Sequence, residues 1–257
     1  FKQHNLFLCL ILLSSTNLDA SDWSTTEVHY QHGKLDTPAF AGGGKNSTQI
    51  FTVQHASGWK YGDNFFWFDV TDPQSSNDSS KTGVYGEWSP RVSFGKIFDF
   101  YKKERFVQDV LLSTTFEHGK SRSASRARLV GVGLDLAVPR FEFFNINLYI
   151  RDNLDAEGTS IQSTIAYNLP LDISKKLSLY YSAYIDIVFG SEGNSADNSL
   201  VKGHWHTGQQ LAYDVGKTYG YSDILYLGAE YQYWSRKYGI EGGPVENNLK
   251  LLVKWIF

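Results

Sequence analysis

Residues 247–257 constrain the fold of the whole chain. They read Asn-Asn-Leu-Lys-Leu-Leu-Val-Lys-Trp-Ile-Phe. Every second side chain back from the end is apolar: Phe257, Trp255, Val253, Leu251 and Leu249. The alternate row is Ile256, Lys254, Leu252, Lys250 and Asn248, and it carries the charge. A strand sends successive side chains to opposite faces. The segment therefore reads as a strand with one greasy face and one face holding two lysines. A greasy row of this length needs a protein core or lipid against it.

The same two-faced pattern recurs along the chain. Strands are predicted over 25–31, 49–55, 64–72, 84–94, 107–117, 130–138, 144–151, 161–169, 177–187, 205–215 and 225–233, with 247–257 as the last. That makes about twelve strands of roughly ten residues, within the range of bacterial barrels. In the fourth, Val84, Trp88, Pro90, Val92 and Phe94 oppose Tyr85, Glu87, Ser89, Arg91 and Ser93. Proline is confined to edges and bulges, so Pro90 predicts a local kink. In the sixth, Val130, Val132, Leu134 and Leu136 oppose Gly131, Gly133 and Asp135. No helix follows this Gly-Val-Gly, so it is no dinucleotide fingerprint, and its glycines are expected to make room inside a barrel. Likewise Gly42-Gly43-Gly44-Lys45 is no phosphate loop, because Asn46 stands where Ser or Thr is required. Connections tend to alternate between long (33–46, 190–202) and short (139–140), although 95–104 is long for a turn.

Residues 1–20 read as a signal peptide and 21–257 as a single barrel domain. Residues 6–13 are an unbroken apolar run, and Ala20 is the small residue expected before the cut. Cys9 lies inside that run, which is the wrong context for lipidation, and it is the only cysteine. Beyond this segment no apolar run approaches the roughly 20 residues of a membrane helix. A membrane-spanning mature chain must then be a closed barrel, which satisfies every backbone group without helices. A net charge of −3 gives no electrostatic footprint for nucleic acid.

Almost every strand charge falls on the row opposite the apolar one. A soluble barrel that is greasy inside would give the same alternation. The signal segment, the strand count, aromatic strand ends such as Trp23, Trp205, Tyr233 and Trp255, and terminal Phe257 favour the membrane. A final aromatic of this kind resembles the closing strand of bacterial outer-membrane barrels. The fold class expected is all-β, an antiparallel transmembrane β-barrel of about twelve strands in the bacterial outer membrane, in contact with its lipid.

The lumen row then mixes both charge signs with Phe65, Trp67, Tyr85, Tyr149, Tyr180, Tyr184, Tyr226 and Trp234. An anion pore wants a ring of Arg and Lys. Rings beside carboxylates and amides suit a flat, neutral, polar solute, since a base stacked on an aromatic gains roughly 1–3 kcal/mol. The plain alternative is that these rings fill space and acid–base pairs brace the barrel.

Several short stretches, in order, resemble the nucleoside-specific outer-membrane channel (Tsx) family. They are Ser21-Asp22-Trp23, Asn64-Phe65-Phe66-Trp67-Phe68-Asp69, Glu87-Trp88-Ser89-Pro90-Arg91-Val92-Ser93, Gly131-Val132-Gly133-Leu134-Asp135, Asn145-Ile146-Asn147-Leu148-Tyr149 and Tyr231-Gln232-Tyr233-Trp234. The resemblance implies a monomeric twelve-stranded barrel passing nucleosides through a narrow aromatic-lined pore. It implies substrate-binding roles for Phe65, Trp67, Asp69, Glu87 and Arg91, with no cofactor, metal or catalytic residue. The loops do not match, which leaves phage or bacteriocin binding there open. Two alternatives stand: a barrel channel for another small solute, and an outer-membrane barrel enzyme. A barrel phospholipase needs His and Ser on the lipid-side face, and no outward row is expected to offer His and Ser two apart. His204 and His206, flanking Trp205, are expected as loop residues or weak metal ligands.

Overall fold

A computed structural model describes residues 21–39, 43–73, 83–120, 126–155, 158–174, 177–190 and 202–257. The expected signal segment with Cys9 lies outside these residues, as do parts of the predicted loops at 42, 121–125 and 191–201. The strands are β1 (Trp23–Asp36), β2 (Lys45–Trp59), β3 (Gly62–Pro73), β4 (Gly83–Ser93), β5 (Val107–Lys120) and β6 (Ala127–Leu136), then β7 (Phe143–Asn153), β8 (Thr159–Asp172), β9 (Ser178–Phe189), β10 (His204–Asp214), β11 (Leu225–Trp234) and β12 (Glu246–Ile256). Each is antiparallel to both neighbours, and β1 closes on β12 with Val28 opposite Trp255 and Tyr30 opposite Val253. Twelve strands in a closed ring leave no sheet edge, so the backbone is satisfied internally.

The period-2 pattern is borne out strand by strand. In β12, Leu249 and Leu251 are 66% and 58% exposed on the outside, while Lys250 and Lys254 are 3% and 2% exposed inside. The outward row of β6 and β7 is equally bare, with Val130, Val132, Leu148 and Ile150 all exposed. Leu252 shares the lysine row and is wholly buried, packed with Ala212 and Tyr226. The lumen wall therefore has apolar spots among its charges.

Two glycines confirm the space argument. A Cβ on Gly133 would stand 2.4 Å from Ser113 Oγ and 2.5 Å from Asn147 Oδ1, and one on Gly131 would strike the Leu148 carbonyl. Pro90 interrupts the ladder locally. It pairs with Asn64 on β3, while toward β5 the ladder is interrupted between Trp88–Phe116 and Arg91–Ser113 with no change of register. A residue without an N–H loses a rung, and Thr114 Oγ1 recovers the Pro90 carbonyl by donating at 2.8 Å.

The long connections at 94–106 and 215–224, both at the end that carries the chain termini, hold short helical turns. The first is α1 (Phe94–Ile97) and the second α2 (Val215–Thr218). Ser93 Oγ accepts the Lys96 N–H, and Asp109 accepts both the Ser93 hydroxyl and the Gly95 N–H. In α2, Asp214 accepts the N–H groups of Lys217 and Asp223. Side-chain caps thus satisfy donors the first helical turn cannot. The 95–104 connection is long for a turn because it holds α1, capped in part by Asp109 from the next strand.

Candidate functional site in the lumen

One continuous cavity of about 1730 Å³ runs through the barrel, lined from the terminal end (Trp23, Lys96, Arg140, Lys217) to the opposite end (Pro38, Arg126, Asp155, Tyr238). All five residues expected to bind solute line it: Phe65, Trp67, Asp69, Glu87 and Arg91. Alternation places Phe65, Trp67 and Asp69 on the inward row of β3. Register then sets Trp67 opposite Glu87, Asp69 opposite Tyr85, and Asp63 opposite Arg91 on β4.

The lumen carboxylates fall into three chemical groups. The first is paired with cations. Asp63 and Asp135 flank Arg91 at 2.6 and 2.8 Å. Glu117 and Gln162 hold Arg151. Glu230 meets Lys250 at 2.6 Å and accepts from Gln31 and Gln210, while Glu27 meets Lys254 at 3.1 Å and His29 at 2.8 Å. The second group, Asp109 and Asp214, caps the two helical turns.

In mid-lumen the third group is Asp69, Glu87 and Asp186, whose hydrogen-bond donors among the described residues are neutral, as are those of Glu142 and Asp223 nearer the terminal end. Thr52 Oγ1 donates to Asp69 at 2.5 Å, and the Tyr85 hydroxyl to Glu87 at 2.9 Å. Thr164 Oγ1 donates to Asp186 at 2.6 Å and Gln162 at 3.3 Å. A carboxylate has about four acceptor positions, so each of these three keeps acceptor capacity facing the lumen. Glu87 and Asp186 also lie within one another's electrostatic reach. Beside them the Trp67 and Tyr85 rings lean together, centroids 5.4 Å apart at 55°.

The five expected residues therefore separate. Phe65, Trp67, Asp69 and Glu87 sit together on adjoining strands. Arg91 lies two rungs nearer the terminal end, and its guanidinium is committed: Nε and Nη2 donate to Asp63, and Nη1 and Nη2 to Asp135. Asp186 belongs with Asp69 and Glu87, yet sequence reasoning left it unselected among the inward charges. Its signal would have been the cross-strand register, which sets it opposite Thr164.

Two other expectations need correction. His206 lies within the strand expected over 205–215, and His204 is the residue that moves from loop to strand, opening β10; both face the lumen. His206 stacks on Trp234 at 4.3 Å and bonds Gln232 and Tyr184 at 2.8 and 3.1 Å. The outer rows, moreover, do offer His and Ser two apart, because His55 and Ser57 share the outward row of β2. No His55–Ser57 hydrogen bond forms. His55 Nδ1 instead meets Thr26 Oγ1 at 2.8 Å, and its ring stacks on Phe66. A serine without a bonded base is not an activated nucleophile.

The sequence model of the family described as nucleoside-specific channel-forming protein, Tsx, matches residues 19–252. The chain belongs to this Tsx family. It is a β-barrel channel of the bacterial outer membrane. No curated protein matches it by sequence. Among solved structures, the NanC porin superposes with a TM-score of 0.51 at 11% identity, over 89% of this chain and 98% of that one. The KdgM porin gives 0.49 at 10% identity, over 90% and 99%. The COG4313 outer membrane channel from Pseudomonas putida F1 gives 0.46 at 11% identity, over 95% and 100%. The NanC likeness speaks for the barrel fold alone. Bacterial outer-membrane barrels have short periplasmic turns and longer extracellular loops, and the shortest connection, 60–61, lies at the terminal end, which is therefore the periplasmic one. The α1 and α2 turns are periplasmic, and Tyr238 stands at the extracellular mouth.

Proposed function

We propose that nucleosides pass this channel through a site formed by Trp67 and Phe65 with Asp69, Glu87 and Asp186. The observation that carries this reading is the third group of carboxylates, which keep acceptor capacity beside a ring pair. A neutral nucleoside has matching parts: a flat base to stack, and ribose hydroxyls and base N–H groups to donate. In this reading Trp67 or Phe65 stacks the base, and Asp69 or Glu87 accepts from a ribose hydroxyl. Arg91, its donors engaged by two carboxylates, shapes the periplasmic side of the site by holding Asp63 and Asp135 in place. The site binds and releases without chemistry, so no residue is given a catalytic role, and a single chain is the working unit because one chain closes the ring.

Stacking and a few charge-assisted bonds must stay weak enough for release. Loss of the Trp67 ring is expected to weaken adenosine binding by roughly 1–3 kcal/mol without loss of the folded barrel. Single-channel recording tests this. Adenosine should block the ion current in a concentration-dependent manner, and Trp67→Ala should shift that block to higher concentration. Absence of block, or block unchanged in Trp67→Ala, would reassign the site and favour another small solute.

A further inference from the structure

The loop from β11 to β12 folds back against the wall at the extracellular mouth. Its Lys237 is only 6% exposed and is ion-paired with Glu246, which is fully buried. Lys237 Nζ also donates to the Asp36 carbonyl at 2.8 Å, while Glu246 accepts the Asp36 N–H through both oxygens, at 3.0 and 3.2 Å. One buried pair thus ties the loop to the start of β12 and the end of β1. On either side of Lys237 the backbone is left-handed at a non-glycine residue, Arg236 (φ 44°) before it and Tyr238 (φ 62°) after it. Side chains disfavour that region, and it persists only where surroundings impose it. Here the imposition comes from the Lys237–Glu246 pair and from the Lys237 N–H donated to the Pro244 carbonyl at 3.0 Å. The result is that the Tyr238 ring lines the lumen and meets Trp234 edge-on at 4.6 Å.

A loop that needed only to cross the mouth would have no use for either feature. Glycine would take the left-handed position without strain, and burying an ion pair carries a desolvation cost that apolar packing avoids. Together they fix the Tyr238 ring on the lumen lining at this mouth, against Trp234. We infer that the Lys237–Glu246 pair is a latch, and that the Tyr238 ring it holds is the size-selecting element of the channel. Solutes the size of a nucleoside clear the ring; larger neutral solutes do not. The inference rests on the lumen being the solute path, but not on the assignment of Trp67, Asp69 and Glu87.

The test uses the whole chain refolded into liposomes and planar bilayers, with variants Tyr238→Ala, Tyr238→Phe, Lys237→Met and the Lys237→Met/Tyr238→Ala pair. Liposome swelling is read with neutral mono-, di- and trisaccharides, and conductance from single channels. Tyr238→Ala should raise conductance, as expected of a widened constriction, and admit the trisaccharide. Tyr238→Phe should behave as the parent. Lys237→Met should match Tyr238→Ala, and the double variant should add nothing, because both changes remove one obstruction. Where Lys237→Met yields no heat-modifiable barrel, Glu246→Gln takes its place, since it keeps the shape and loses the charge. An unchanged cut-off in Tyr238→Ala would overturn the filter, and additive effects in the double variant would overturn the latch. Loss of adenosine block in a channel with its cut-off intact would count against the solute site and not against the filter.

Discussion

Arg91 and Asp69 show how differently two charged residues of one lumen can behave. Arg91 is held between Asp63 and Asp135, whose side chains are only about a fifth exposed. Removing the cation leaves two carboxylates sharing a poorly solvated site. Breaking a buried pair costs about 3–5 kcal/mol, and Arg91→Met should fall at the lower end because some solvent reaches both acids. Asp69→Asn breaks no ion pair and keeps an oxygen to accept from Thr52, so its cost should stay near 1 kcal/mol or below. Urea titration of the barrel in lipid vesicles would compare the two, and equal losses would show that Arg91 is not the brace its geometry indicates. Adenosine block should respond in the opposite order, more to Asp69→Asn. Much of this division was accessible from register alone: Asp63 faces Arg91 and Glu230 faces Lys250 across neighbouring strands. The Asp135 contact was not, because it reaches Arg91 from β6, a strand that does not pair with β4.

At the scale of the element, the closing strand offers the cleanest test of facing. Leu251 is exposed on the outer wall, and its neighbour Lys250 is buried inside against Glu230. An arginine at Leu251 must be placed against hydrocarbon, at roughly 2–4 kcal/mol near the midplane. Leu251→Arg should therefore lower the yield of heat-modifiable barrel. Lys250→Met should assemble but melt earlier, since Glu230 keeps Gln31 and Gln210 yet loses its cation. A Leu251→Arg variant that assembled as well as Lys250→Met would mean the facing is reversed. Period-2 alternation made all twelve strands legible, because lipid on one side and water on the other enforce it residue by residue. The helical turns of the periplasmic connections escaped the same reading. Four residues carry no period, and one of their caps arrives from another strand. Leu252 escaped it too: a leucine in a charged row looks like noise until Ala212 and Tyr226 are seen packed around it.

For the whole molecule, what matters is the charge left over after internal pairing. In mid-lumen the cations Arg91, Arg151, Lys250 and Lys254 each lie against a carboxylate, while Lys96 and Arg140 line only the terminal end. Asp69, Glu87 and Asp186 have no such partner among the described residues, so any charge they carry is left uncompensated at this level of the lumen. Fixed charges in a low-dielectric channel concentrate counter-ions and repel like charges. The channel should therefore favour potassium over chloride, and adenosine over its monophosphate. Reversal potentials in a potassium chloride gradient would show the first, and relative current block the second. The combined Asp69→Asn, Glu87→Gln and Asp186→Asn variant should move the reversal potential toward chloride and narrow the gap between the two solutes. Both differences should also shrink with salt, because screening shortens to about 3 Å at 1 M from about 10 Å at 0.1 M. An anion-selective parent, or a triple variant with the parent's reversal potential, would mean that the paired groups and not these three set the field, and the nucleoside preference would then need another origin within the lumen.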